Sequence, residues 1–240
     1  MPNAPLASPA GTAKLAHAAR AIAGALGVAA LDVLLLVAAL GGVQNLIAHR
    51  RALALLAIWA AAGIVLALLR PVRIHAPTKF EHESRSVLVA LLALPLLAPP
   101  VAALGERFGL FPWFAHSALE WTGVAAVAVG LGVRIAAMTR LGSRFSPFVA
   151  VQQRHVLETR GIYSRIRHPG YSGALLACAG ATLAFGSALA LPLVVLFAAL
   201  LRARVAREET LLEQHFGDEF RRYRERTGGL LPRFGGAPGA

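Results

Sequence analysis

An uncharged run of 32 residues, 170–201, is the feature that most limits what this 240-residue chain can become. A helix crosses the hydrocarbon layer of a membrane in about 20 mostly apolar residues. The run is too long for one crossing and too short for two full ones with a turn between them. Gly186 and Ser187 stand at its middle, where turn chemistry belongs. The spacing predicts a tight hairpin of two helices, the second running past residue 201 into the charged tail. Pro192 then falls in the first turns of that second helix, where proline is tolerated.

Four further stretches are long and apolar enough to cross. Residues 21–48 carry one charge, Asp32; residues 52–69 and 86–105 carry none; residues 121–139 carry only Arg134. The expected fold is therefore all-α, a polytopic integral membrane protein of about six transmembrane helices. The composition agrees: 57% of residues are apolar and 15% charged, against about 45–50% and about 25% in a soluble domain. These values exclude a disordered chain and argue against a soluble enzyme. The first apolar run is too long, and starts too late, for a cleaved signal peptide. Cys178, the single cysteine, excludes a disulfide framework and any cysteine-based zinc site.

Charge sets the orientation. Lys and Arg number 24 against 12 Asp and Glu. In a soluble protein this excess would suggest nucleic acid; beside apolar spans, anionic lipid is the better partner and no nucleic acid is expected. The N-terminal segment, the loops after the second and fourth spans and the tail hold 20 of the basic residues. The opposite side holds only Arg50, Arg51 and Arg107. The positive-inside rule then puts both termini on the cytoplasmic side. Chemistry is expected on that face, from residues 141–171 and 202–234.

Two clusters there carry candidate chemistry. The first runs from Gly161 through Tyr163, Arg167, His168, Pro169, Gly170 and Tyr171 to Gly173 and opens a membrane helix. Proline in a first turn leaves N–H groups pointing outward, which with the helix dipole can bind an anion. The plainer reading is a capped helix start with basic residues on lipid headgroups, and it carries equal weight. The second cluster is Arg202, Arg204, Arg207, Glu208, Glu209 and Glu213. Arg204 and Glu208 share a helix face, four residues apart. Glu213 and Glu219 read as solvated charges; Glu208, one or two turns beyond the membrane, is placed to face a polar cavity. Asp32 is a functional candidate by its depth, or a partner for Arg134. The histidines at 49, 75, 82 and 116 lack ligand spacing, so no metal site is expected. Gly228, Gly229, Gly235 and Gly236 read as a flexible end, frayed beyond Phe234.

At these residues the chain resembles the isoprenylcysteine carboxyl methyltransferases and their phospholipid N-methyltransferase relatives. The resemblance is carried by Leu141, Gly142, Ser143, Arg144, Phe145 and Ser146; by His155 to Glu158; by Gly161, Ile162 and Tyr163; and by Arg167, His168, Pro169, Gly170, Tyr171, Ser172 and Gly173. It continues in Arg204, Glu208, Glu209, the stretch His215, Phe216, Gly217, Asp218, Glu219 and Phe220, then Tyr223, Leu231 and Pro232. It covers residues 118–234 and divides the chain: 1–20 a cytoplasmic N-terminal segment, 21–117 three membrane helices with loops, 118–234 the methyltransferase-like core, 235–240 a flexible tail.

The resemblance implies S-adenosylmethionine as cofactor, in a cytoplasmic pocket at the membrane edge. Carried over residue by residue, Gln152, His155, Leu157, Tyr163, His168, Pro169 and Tyr171 line that cofactor. Glu208 holds one of its polar groups, and Arg204 holds the acceptor's carboxylate. Glu158 departs from the family pattern and receives no role. The implied acceptor is a lipophilic small molecule or a prenylated group, methylated most readily on a carboxylate because Arg204 repels a cationic amine. The Ala-, Arg-, Gly- and Leu-heavy composition suggests a GC-rich bacterial genome and so a bacterial inner membrane. Two other readings stand beside this one: an NADPH-dependent membrane reductase of the sterol type, and a phospholipid amine N-methyltransferase. A non-catalytic transporter would place more polar groups near the midplane.

Overall fold

The computed structural model describes residues 9–68, 79–80, 84–112, 117–142, 150–151 and 157–233. Eight helices run through them: α1 Pro9–Leu40, α2 Val43–Ala48, α3 Arg50–Leu68, α4 Arg85–Arg107, α5 Ser117–Leu141, α6 Pro169–Ala184, α7 Leu191–Phe216 and α8 Asp218–Arg226. Two residue pairs, β1 Lys79–Phe80 and β2 Ala150–Val151, meet antiparallel. Three described helical stretches, Arg85–Arg107, Ala118–Leu141 and Ala188–Phe216, are long and apolar enough to cross a membrane. Many large apolar side chains, among them Leu92, Ile64, Val89 and Val195, face outward, as a lipid-solvated surface requires.

The hairpin forms as its length demands. α6 ends at Ala184, and Gly186 takes φ +63, a left-handed conformation that glycine adopts without strain. The turn is held from α4's end: the buried Ser187 hydroxyl donates to the Leu110 carbonyl at 2.7 Å, and the Ala188 N–H donates to the Phe111 carbonyl at 2.8 Å. Pro192 is the second residue of α7, and α7 continues unbroken to Phe216.

The first apolar run departs from expectation. Residues 21–48 do not make one span, because the helix stops at Leu40. Gly41 and Gly42 turn with φ +84 and +140, and the short α2 follows. Their N–H groups fold back on the Val37 carbonyl, and Asn45 Nδ2 donates to the Leu40 carbonyl at 2.9 Å. Two adjacent glycines ended the helix despite the apolar sequence on both sides.

α5 and α6 pack antiparallel at backbone distance through glycines seven apart on each helix. A Cβ at Gly130 would stand 2.5 Å from the Gly173 carbonyl oxygen, and one at Gly180 would stand 2.7 Å from that of Gly123. Membrane helices gain association energy from such small-residue contacts. Gly180→Val is expected to force this pair apart and destabilise the protein by about 1–3 kcal/mol. Thermal unfolding in detergent checks this; an unchanged midpoint would contradict the close packing.

At the hairpin-turn end, Arg51 bonds Glu106 at 2.5 Å and also pairs with Glu120, tying α3, α4 and α5 together. His49 Nδ1 accepts from the Ala52 N–H at 3.2 Å, so its Nε2–H donates to Glu106 at 3.0 Å.

Candidate active site

The site forms at the other end of the bundle, where α6 begins and α7 turns polar. The turn Gly161–Ser164 leads into residues 165–168, which run beside Gly228 and Gly229. Ile166 and Gly228 pair in parallel; Arg167 N–H donates to the Gly228 carbonyl at 2.8 Å and His168 N–H to that of Gly229 at 3.1 Å. This corrects the reading of Gly228 and Gly229 as a loose end. A side chain at Gly228 would place its Cβ 1.8 Å from the Leu231 oxygen, so glycine here serves a compact turn. The start of α6 leaves few N–H groups for an anion. Pro169 has no N–H, and the Tyr171 and Ser172 N–H groups are taken by the His168 carbonyl at 3.0 and 3.1 Å.

Four of the expected residues converge. Arg204, buried at 4% exposure, donates from Nε to the Tyr171 hydroxyl at 2.9 Å. That hydroxyl donates in turn to Glu208 at 2.8 Å. The guanidinium also lies over the Tyr171 ring, 5.7 Å from its centroid. The His168 ring stacks on Tyr171 with centroids 5.7 Å apart and planes 6° apart. Residues four apart on α7 thus reach one phenol on α6, and that phenol separates a guanidinium from a carboxylate.

The other expected residues stand as follows. Pro169 is buried at the first position of α6. Tyr163 is 7% exposed, its hydroxyl 3.3 Å from the Ala137 carbonyl on α5. Leu157 is half-buried where the described chain resumes. Gln152 and His155 lie outside the described residues. Glu158, left without a role, pairs with Arg140 at 3.5 Å. Arg134 turns to α6 rather than to Asp32: its Nη1 donates to the Gly170 carbonyl at 3.0 Å.

Sequence reasoning quoted Arg167 and Glu209 and gave them no role. Arg167 Nε donates to Glu209 Oε1 at 2.7 Å, and Nη2 approaches Oε2 at 3.5 Å. Arg167 Nη1 reaches the Arg224 carbonyl at 3.0 Å and also the Thr227 carbonyl. Glu209 bonds His168 Nε2 at 3.2 Å as well. One carboxylate therefore fixes the histidine ring and, through Arg167, the end of α8. Two consecutive acids in a basic helix, opposite a consecutive Arg and His, were the available signal. α8 is further held by the Tyr223 hydroxyl, which donates to the Tyr163 carbonyl at 2.7 Å. Burial pushes that phenol above its ordinary range, so it keeps its donor proton.

The donor set fits a cofactor that is cationic and hydroxyl-rich. Glu208, 31% exposed, can accept from ribose hydroxyls or an ammonium, beside the flat stacked face of His168 and Tyr171.

Residues 119–219 match the family model described as Phospholipid methyltransferase. The protein-S-isoprenylcysteine O-methyltransferase of Schizosaccharomyces pombe is 30% identical over 125 residues, which are 50% of this chain and 52% of that one. A probable protein-S-isoprenylcysteine O-methyltransferase of Oryza sativa subsp. indica is 31% identical over 134 residues, 51% of this chain and 66% of the relative. The corresponding Dictyostelium discoideum enzyme is 42% identical over 65 residues, 26% of this chain and 27% of the relative. The chain thus spans about half to two thirds of the length of the first two relatives. The solved eukaryotic intramembrane Ras methyltransferase, isoprenylcysteine carboxyl methyltransferase, superposes with a TM-score of 0.49 at 19% identity, covering 75% of this chain and 67% of that one.

Proposed function

We propose, from the premise that residues 119–219 belong to the phospholipid methyltransferase family, that this chain transfers a methyl group from S-adenosylmethionine to a lipophilic acceptor. The acceptor group is a carboxylate, that of an isoprenylcysteine or a similar apolar acid. The observation that carries this reading is the chain of bonds from Arg204 through Tyr171 to Glu208. It offers a cation to one ligand and an anion to the other, about one phenol apart.

When bound, the cofactor supplies an electrophilic methyl on a sulfonium. Glu208 holds its polar groups, with His168 and Tyr171 alongside. Arg204 orients the acceptor carboxylate; a guanidinium binds a carboxylate by two parallel bonds, which fixes direction as well as place. A carboxylate is ionised at neutral pH, so the acceptor needs no general base. Positioning can then supply most of the acceleration, up to about 7–11 kcal/mol. Arg204 also weighs against a cationic lipid amine as acceptor. Residues 118–234 form the catalytic core and residues 21–117 the accessory membrane helices of this proposal. The site faces the cytoplasm of a bacterial cell, where the cofactor enters from water and the acceptor from lipid.

The test is transfer of labelled methyl from S-adenosylmethionine to a prenylated cysteine by detergent-purified protein. A base-labile methyl ester is expected. Arg204→Ala is expected to raise the acceptor KM by about tenfold or more, the loss of charge-assisted hydrogen bonds, while cofactor affinity stays. Absence of ester with every apolar acid tried would overturn the proposal; a parallel fall in both affinities would remove Arg204 from the acceptor side.

A further inference from the structure

After α8 the chain turns back toward the apolar part of the bundle. The uncharged run of the hairpin ends at residue 201, and the charges of α7 begin at Arg202. Arg204 stands level with Tyr171 on α6, because the two are bonded at 2.9 Å. The next residue on α6, Ser172, donates from its hydroxyl to the Leu230 carbonyl at 2.5 Å. Leu230 is therefore held at the height where the bundle passes from apolar to polar. Leu231 follows it with 78% of its surface exposed, as open as Leu92, at 76%, on the apolar helix α4. This leucine lies outside every helix, at the depth of the membrane interface.

Two arginines stand beside it. Arg165 and Arg233 are both exposed. The Arg233 N–H donates to the Arg165 carbonyl at 3.4 Å, so the two side chains leave neighbouring backbone. The Gly228 N–H donates to the same carbonyl at 3.1 Å, and a built turn thus presents the leucine and both cations together. Arg233 Nη1 donates to the Glu225 carbonyl at 2.6 Å, a neutral partner that engages one of five N–H donors. Glu209 is taken by Arg167, and Glu213 by Arg221 and Arg224. Among the described residues no carboxylate pairs with Arg165 or Arg233. An apolar tip bordered by unanswered guanidinium groups has the chemistry of an interfacial anchor. Anionic lipid attracts each arginine that lies near its surface.

We propose that residues 230–233 and Arg165 form an anchor for anionic phospholipid, with Leu231 among the acyl chains and Arg165 and Arg233 on headgroup phosphates. The occupant is the bilayer around the protein, and charge complementarity selects its anionic lipids. The inference is independent of the methyl-transfer reading. The anchor reaches the site through backbone alone: the Gly228 and Gly229 carbonyls accept from the Arg167 and His168 N–H groups. Lipid that seats Leu231 therefore also steadies the segment that opens α6.

The experiment uses the full chain in nanodiscs, with a nitroxide attached through Leu231→Cys; Cys178 is buried and out of reach of the reagent. In discs containing phosphatidylglycerol the label is expected to relax with dissolved oxygen and to be shielded from a neutral, water-soluble nickel complex. A reference label placed by Gln214→Cys, at an exposed position far along the charged end of α7, is expected to show the reverse. Each arginine at an anionic surface contributes about fivefold. The ratio of shielded to open label is therefore expected to be about tenfold or more higher in phosphatidylglycerol than in phosphatidylcholine. Arg165→Gln combined with Arg233→Gln is expected to erase that difference, and the two lysine substitutions to keep most of it. A label at 231 as open to nickel as the one at 214 would overturn the anchor. So would shielding that is equal in the two lipids, or a lipid difference that survives the double glutamine change. Inorganic phosphate added to phosphatidylcholine discs is expected to have no effect; if it reproduced the shielding, the arginines would hold free phosphate and the inference would fall.

Discussion

Glu208→Ala abolishes S-adenosylmethionine binding and leaves the helices folded: this is the largest functional effect expected of a single substitution. Glu208 stands on α7 where the helix leaves its apolar stretch, and its carboxylate is partly open to solvent. Hydrogen bonds to a charged group contribute about 1.5–3 kcal/mol each. Two such bonds to ribose hydroxyls, or to an ammonium, correspond to at least a hundredfold in affinity. The folded state is expected to tolerate the change because Tyr171 keeps its bond from Arg204. Calorimetry with the variant, alongside a circular dichroism spectrum, is the check. Wild-type affinity in a folded Glu208→Ala protein would remove Glu208 from the cofactor site.

Its neighbour is expected to act on stability. Glu209 and Arg167 have side chains 15% and 11% exposed, and Glu209 also bonds the buried His168. Removing the carboxylate from this partly buried network takes away charge-assisted bonds to two cations and destabilises by about 1–3 kcal/mol. Glu209→Ala is therefore expected to lower the unfolding midpoint sharply. It should also release the segment through Arg233, because Arg167 holds the carbonyls at the end of α8 through the same guanidinium. Trypsin should then cut within α8 under conditions in which the wild type resists. Arg167→Ala combined with Glu209→Ala should cost less than the sum of the single changes, as residues in one network do. Additive losses would mean that the two side chains act separately.

The contrast between two adjacent glutamates also bears on what the sequence made legible. The hairpin could be read because length and turn chemistry coincide at Gly186 and Ser187. α7 could be followed past residue 201 because its first charges keep helical spacing. Tyr171, Arg204 and Glu208 could be grouped because Arg204 and Glu208 share a face and Tyr171 belongs to the motif that opens α6. What escaped depends on contacts distant in sequence. Glu209 meets Arg167 across 42 positions, and nothing local distinguishes it from Glu213, an acid on the same helix bound by Arg221 and Arg224. Gly228 and Gly229 have the composition of a frayed end, yet their carbonyls accept from residues about 60 positions earlier. Arg134 suggested Asp32 as a partner because both are charges within spans. The Gly130–Gly173 contact instead brings its guanidinium to a carbonyl of α6. At Gly41 and Gly42 the signal was in the sequence but was outweighed by apolar residues on either side.

The central claim, that this membrane site takes S-adenosylmethionine, is tested most directly by titrating S-adenosylmethionine and NADPH side by side into the detergent-purified protein. The account predicts saturable binding of S-adenosylmethionine, competed by its demethylated product, and no binding of NADPH. Binding of NADPH with none of S-adenosylmethionine would contradict it, and would turn the same pocket toward reduction of a membrane-dissolved substrate.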